Sequence, residues 1–214
     1  MKILAVSDNV LTQMENAANL TRVYGETEAL ISCGDMPAHY LEYISSVLSV
    51  PLYFVRGNHD TEYAVSQSYE ANRPGGDDLH MRILTYRGIV MAGLEGCMRY
   101  NREPLQYTES EMFRMVLTLA VKVFLHRLRT RRTLDLMVTH APPRGIHDLT
   151  DRPHWGFKSF NVLITLYRPR YLIHGHVDVL DRRKQTTTVV KHTTVININP
   201  VKVMSIERST PRGL

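Results

Sequence analysis

A chain of 214 residues, 43% hydrophobic and 22% charged, has the make-up of a globular protein and can bury a large core as one domain. No window holds eighteen apolar residues, and only five residues lie between Met1-Lys2 and Asp8, so neither a membrane span nor the core of a secretory signal is read, and a cytoplasmic protein is expected. The net charge of +5 favours anionic partners without naming one, and the two lone cysteines, Cys33 and Cys97, suit buried reduced thiols better than a disulfide or a metal site.

The elements alternate. Residues 2–7 read as a strand, 11–24 as a helix, 28–33 as a strand, 38–49 as a helix and 51–55 as a strand. That βαβαβ order is the signature of a largely parallel sheet. Residues 61–80 are polar, contain Arg73-Pro-Gly-Gly-Asp77, and read as a loop where substrate or partner could be met. Residues 82–86 and 89–94 flank the turn at Arg87-Gly88 as a hairpin. The stretch Gly96-Cys-Met-Arg-Tyr-Asn101 follows as another strand end, bearing a cation and an amide.

Residues 108–130 form the longest helical pattern. Thr108 to Glu111 give a start signal, and Met112, Met115, Val116, Leu119, Val123 and Leu128 return at helical spacing and are expected to be core positions. Residues 134–139 make a strand ending in His140-Ala-Pro-Pro143. Residues 157–167 make a helix stopped by Pro169, and 171–174 a strand ending in Gly175-His176-Val177-Asp178. The remainder, rich in Thr, Val and Ile, is expected to form antiparallel hairpins to about residue 207. One domain, 1–208, is read, with 209–214 as a loose tail. The cationic clusters Arg127, Arg129, Arg131, Arg132 and Arg182, Arg183, Lys184 lack interleaved aromatics and read as solvated surface rather than a nucleic-acid patch.

Five strand ends carry carboxylate, amide or imidazole: Asp8, Gly34-Asp35, Asn58-His59, His140 and His176-Val177-Asp178. In the open α/β layout such ends gather at one sheet edge, where ligands bind. Gly57 permits a tight turn before Asn58. Carboxylate oxygen and imidazole nitrogen are the donors that Mn²⁺, Fe²⁺ or Zn²⁺ take. Two cations bridged by a carboxylate can activate water and stabilise displacement at phosphorus.

The order Asp8, Gly34-Asp35, Gly57-Asn58-His59-Asp60, Thr139-His140-Ala-Pro-Pro, Gly175-His176-Val177-Asp178 resembles the calcineurin-like metallophosphoesterases, over essentially the whole chain. The resemblance implies a four-layer α/β/β/α sandwich of two mixed sheets with a dinuclear site between their loops. It implies that Asp35 bridges the metals, that Asn58, His140 and His176 complete one site, and that His59 contacts phosphate and protonates the leaving group. Two departures fall on the other site. The family's Asp-x-His is Asp8-Asn9-Val10 here, and the last motif ends in Asp178 where a His is usual. Asp8, Asp35 and Asp178 remain, all hard oxygen, which favours Mn²⁺ or Mg²⁺ over Zn²⁺. Asn9 could turn in as a substitute ligand, although strand alternation would point it away from the site that Asp8 faces.

Arg99, Asn101 and His147 are candidate substrate contacts, with Asp151 and His154 ranked below them. The expected activity is hydrolysis of a small phosphodiester or phosphomonoester through metal-activated hydroxide, with two divalent cations, Mn²⁺ first. The rival is a silent binding scaffold on the same fold, as the retromer scaffold subunit is. A nucleic-acid-processing enzyme is a third reading, resting on the basic clusters alone.

Overall fold

The computed structural model describes residues 1–60, 73–179, 183 and 185–208. Strands β1 (Lys2–Val6), β2 (Ala29–Ser32) and β3 (Leu52–Phe54) pair in parallel, joined by helices α1 (Ala17–Tyr24) and α2 (Ala38–Leu48). Nearly every residue of these strands is buried, which is why they read as continuous apolar runs without alternation. A two-residue edge strand, β4 (Asp77–Asp78), follows β3 in the sheet. The hairpin of β5 (Ile83–Tyr86) and β6 (Ile89–Leu94) starts the second sheet, and a small ladder joins β7 (Cys97–Met98) to β8 (Gln106–Tyr107). Helix α3 (Glu109–Thr130), β9 (Leu136–Thr139), α4 (Lys158–Tyr167) and β10 (Tyr171–His174) come next. The chain closes with β11 (Thr187–Val190), β12 (Thr193–Asn197) and β13 (Val201–Ser205). One sheet runs β13-β1-β2-β3-β4 and the other β11-β12-β10-β9-β6-β5.

Three apolar layers hold these pieces together. Ile3, Ile31 and Val55 of the first sheet meet Met91, Val138 and Ile173 of the second. Leu4, Leu30 and Phe54 face α1 and α2 on one outer side, and Ala92, Met137 and Leu172 face α3 and α4 on the other. The result is the expected α/β/β/α sandwich. Each fully buried Leu, Ile or Val in it contributes roughly 1.5–3 kcal/mol by leaving water.

Helix α3 begins on the expected signal. Thr108 Oγ1 accepts the N–H of Glu111 at 3.3 Å while the Glu111 carboxylate accepts the N–H of Thr108 at 2.7 Å, a reciprocal cap. Cys33 and Cys97 are buried free thiols, and Arg127, Arg129 and Arg131 are exposed at the end of α3.

Other expectations are corrected. The helix read at 11–24 is a 3₁₀ turn, Thr12–Met14, followed by α1, because the Asn16 side chain accepts the N–H of Asn19 and caps a helix there. The last strands are not successive hairpins. Only β11 and β12 are one; β12 lies parallel to β10, and β13 crosses to pair antiparallel with β1 in the other sheet. Composition identified strands there, but a strand's partner is set by the layers it can complete. Residues 77–78 form an edge strand within the stretch read as loop, whereas 61–72, Arg182, Lys184 and the tail 209–214 lie outside the described residues.

Candidate metal centre

The carboxyl ends of β1, β2, β3, β9 and β10 turn toward one edge. Asp8, Asp35 and His176 each take a left-handed backbone, with φ of 64°, 56° and 66°. Such a conformation is uncommon outside glycine and costs of order 1 kcal/mol or more per residue. Three of them at one edge bring polar side chains inward where continued strands would alternate them away.

Asp35, His140 and His176 each offer a ligand atom within 4.8 Å of the others. His140 is fully buried, and its Nδ1 donates to the Cys33 carbonyl at 2.8 Å. That bond leaves Nε2 to face Asp35 Oδ2 at 3.2 Å and Asn58 Oδ1 at 3.1 Å. Asn58 Nδ2 in turn donates to the Tyr100 hydroxyl at 3.3 Å, which points its oxygen at the cluster. His176 Nε2 donates to the Pro153 carbonyl at 2.8 Å, so Nδ1 is the nitrogen left for a ligand. Asp35 Oδ1 accepts the backbone N–H of His59 at 2.7 Å. Outer partners of this kind fix tautomer and ring orientation for metal binding.

Space is left for this convergence by Gly57. A Cβ there would lie 2.1 Å from Asp35 Oδ1 and 2.5 Å from His140 Cε1. Asp60 ties the turn down by accepting the N–H groups of Asp35, Met36 and Gly57 at 3.1, 3.1 and 2.6 Å. Burial, with Asp35 beside it, raises the Asp60 carboxyl to about 7. Burial opposes charge on His140, but Asp35 and Asp8 outweigh it and raise the imidazole to about 9. Burial and then the His140 charge lower His176 to about 3, so it is a neutral donor. Asp35, Asn58, His140 and His176 fit a divalent cation that takes the place of the proton Asp35 holds on His140 Nε2: a negative oxygen, a neutral oxygen and two oriented imidazoles.

Asp8 and Asp178 do not fit a second cation in the same way. Asn9 Nδ2 donates to Asp178 Oδ1 at 2.8 Å, and Asn199 Nδ2 donates to Asp8 Oδ2 at 3.0 Å and Asp178 Oδ1 at 3.1 Å. The His176 N–H also donates to both Asp8 oxygens at 3.0 Å. Both carboxylates are thus already bonded to amide and backbone N–H groups. The expectation that Asn9 points away is corrected. The strand ends at Val6, and the left-handed Asp8 breaks the alternation. Val10 is exposed and offers no donor.

Of the candidate substrate contacts, none joins the cluster. Arg99 donates through Nε and Nη2 to the Gln106 carbonyl and pairs with Glu111 at 3.0 Å. Asn101 Oδ1 accepts from the Glu103 N–H and Gln106 Nε2, closing its own turn. His147 meets His174 Nε2 at 3.0 Å and Thr188 Oγ1 at 2.9 Å, and lines a cleft of about 430 Å³ beside Asp178 and Asn197. His154 stands closer: its ring lies 5.2 Å from that of His176, and its Nδ1 meets Asp151 Oδ2 at 2.5 Å.

Sequence reasoning missed Tyr100 and Asn199. The first sits between two residues that were considered. The second follows β12 as Asn197-Ile-Asn199-Pro200, and the strand-end rule applied there would have found it.

Two mixed sheets between helices, with an Asp–Asn–His–His cluster where their loops meet, define the metallo-dependent phosphatase fold. The model of the calcineurin-like phosphoesterase family matches residues 1–179. The chain belongs to that family. Among solved structures, TT1561 of Thermus thermophilus is similar at 16% identity and a TM-score of 0.59, over 96% of this chain and 99% of that one. GAP50, described as the anchor in the inner membrane complex of Plasmodium, is similar at 11% identity and a TM-score of 0.50, over 92% and 70%. No curated protein matches the chain by sequence. Among the described residues no helix is long and apolar enough to cross a membrane.

Proposed function

We propose that the protein is a metal-dependent phosphoesterase acting on a small phosphodiester or phosphomonoester. The observation that carries this reading is the orientation of His140, fixed by the Cys33 carbonyl with its Nε2 between Asp35 and Asn58. A divalent cation, with Mn²⁺ the first choice, supplies Lewis acidity toward phosphoryl oxygen and lowers the pKa of water. Asp35, Asn58, His140 and His176 would hold it. Asp35 also anchors the turn that presents His59, whose imidazole contacts the phosphate and gives the proton that the leaving alcohol takes.

A second reading, a binding scaffold on this fold, is favoured by the amide bonds of Asn9 and Asn199 to Asp8 and Asp178. Chelator-stripped protein titrated with Mn²⁺ separates the two, with aryl diester and monoester hydrolysis followed and bound metal counted in the same sample. The enzyme reading expects turnover that rises with bound metal and is abolished in His59→Ala at unchanged metal content. One tight metal and no turnover of either ester leaves the scaffold.

A further inference from the structure

Helix α3 is apolar on two opposite sides. Met112, Val116 and Leu119 pack inward against the second sheet. Phe113, Leu117, Val121, Phe124 and Leu128 lie on the outer side, between 39% and 60% exposed. From Leu117 the steps are four, three and four residues, the recurrence of a helix–helix seam. Val162 and Leu166 of α4 widen the stripe. Together they expose on the order of 700 Å² of apolar surface, against about 300–600 Å² for the largest patch on a typical monomer and about 800 Å² per partner in a standard interface.

We infer that a second copy of the chain covers this face, its α3 packed antiparallel to the first about a two-fold axis near Val121. The seam runs from Phe113 to Leu128, so Val121 is its midpoint and self-pairing closes there. Charge selects the direction. Glu109 and Glu111 occupy the first turn, and Arg127 and Arg129 the last. Glu111 and Arg129 are eighteen residues apart, about five turns, so they lie on the same flank of the stripe. An antiparallel pair brings the Glu109–Glu111 end of each helix, whose carboxylates already cap α3 and α4 and meet Arg99, to the Arg127–Arg129 end of the second copy, twice by symmetry, and opposes the helix dipoles favourably. A parallel pair would set the arginines against each other.

The test is solution mass by light scattering and sedimentation at about 100 µM, above the micromolar weak end of interfaces this size. A dimer is expected, and Val121→Glu and Phe124→Glu, both at exposed positions, should give folded monomers with unchanged circular dichroism. In addition, Val121→Cys should cross-link to itself through a short bis-maleimide, while Ser110→Cys should not. The native thiols are buried and do not compete. A wild-type monomer at that concentration overturns the inference. So does a dimer that survives both glutamates, which places the contact elsewhere, or a monomer that binds anionic vesicles through Phe124, which gives the face to a lipid surface.

Discussion

Replacing Glu95 should cost the protein far more than a surface charge would. Glu95 follows β6 in the second sheet, and Arg56 follows β3 in the first, directly before Gly57-Asn58-His59. Both side chains are buried, with Arg56 Nε 3.2 Å from Glu95 Oε2, and the other Glu95 oxygen accepts the Tyr107 hydroxyl at 2.8 Å. The Arg56 carbonyl accepts the Gly96 N–H at 2.8 Å, so the pair is one half of a tie between the sheets at the site's edge. Removing one partner of a buried ion pair typically costs 3–5 kcal/mol, because the other charge is left desolvated. Glu95→Ala should therefore lose about 3 kcal/mol in urea unfolding at constant m-value, and a Tm lowered by about 6–12 °C for a chain this size. Arg56→Met with Glu95→Leu should recover most of the loss, since both members of the pair are then removed together. A single-variant loss below about 1 kcal/mol would refute the argument. So would a double variant no better than the single.

Gly57→Ala drives a Cβ into Asp35 and His140, so the variant should fold and yet bind Mn²⁺ at least tenfold more weakly by titration calorimetry. Counting metal by mass spectrometry should give one Mn²⁺ per parent chain, because amides hold Asp8 and Asp178; Asn199→Ala should raise the count toward two, and a parent that binds two contradicts that assignment. Burial holds His80 below its usual range despite Glu95 and Asp78, and its Nδ1 accepts the Glu95 N–H at 3.1 Å. The unfolded chain, with a pKa near 6.5, then takes up this proton first, so stability falls as pH drops below about 6.5. Urea unfolding at neutral and mildly acid pH should show a shallower fall in His80→Gln.

The cluster Asp35, Asn58, His140 and His176 was legible because four strands announce their ends with polar side chains after apolar runs. So was the cap of α3, since Thr108 and Glu111 stand at the spacing a reciprocal bond needs. The pairing of β13 with β1 was not, because a Thr- and Val-rich run looks the same whichever sheet it completes. Alternation, which would turn Asn9 away, holds only while the backbone stays extended, and Asp8 turns left-handed, a conformation that Asp and Asn enter more readily than most residues. Arg99 and Asn101 were chosen for chemistry suited to phosphate, but the ladder of β7 and β8 uses that chemistry to close itself.

The crossing of the chain from β12 to β13 sets an order of events during synthesis. β1 is made first, yet one of its edges waits for β13, and Asp8 waits for Asn199. While residues 199–205 are still in the ribosome, the first sheet presents an unpaired apolar edge, a template for wrong partners. The nascent chain should therefore depend on chaperone cover until residues 199–205 have emerged, and the site should mature only afterwards.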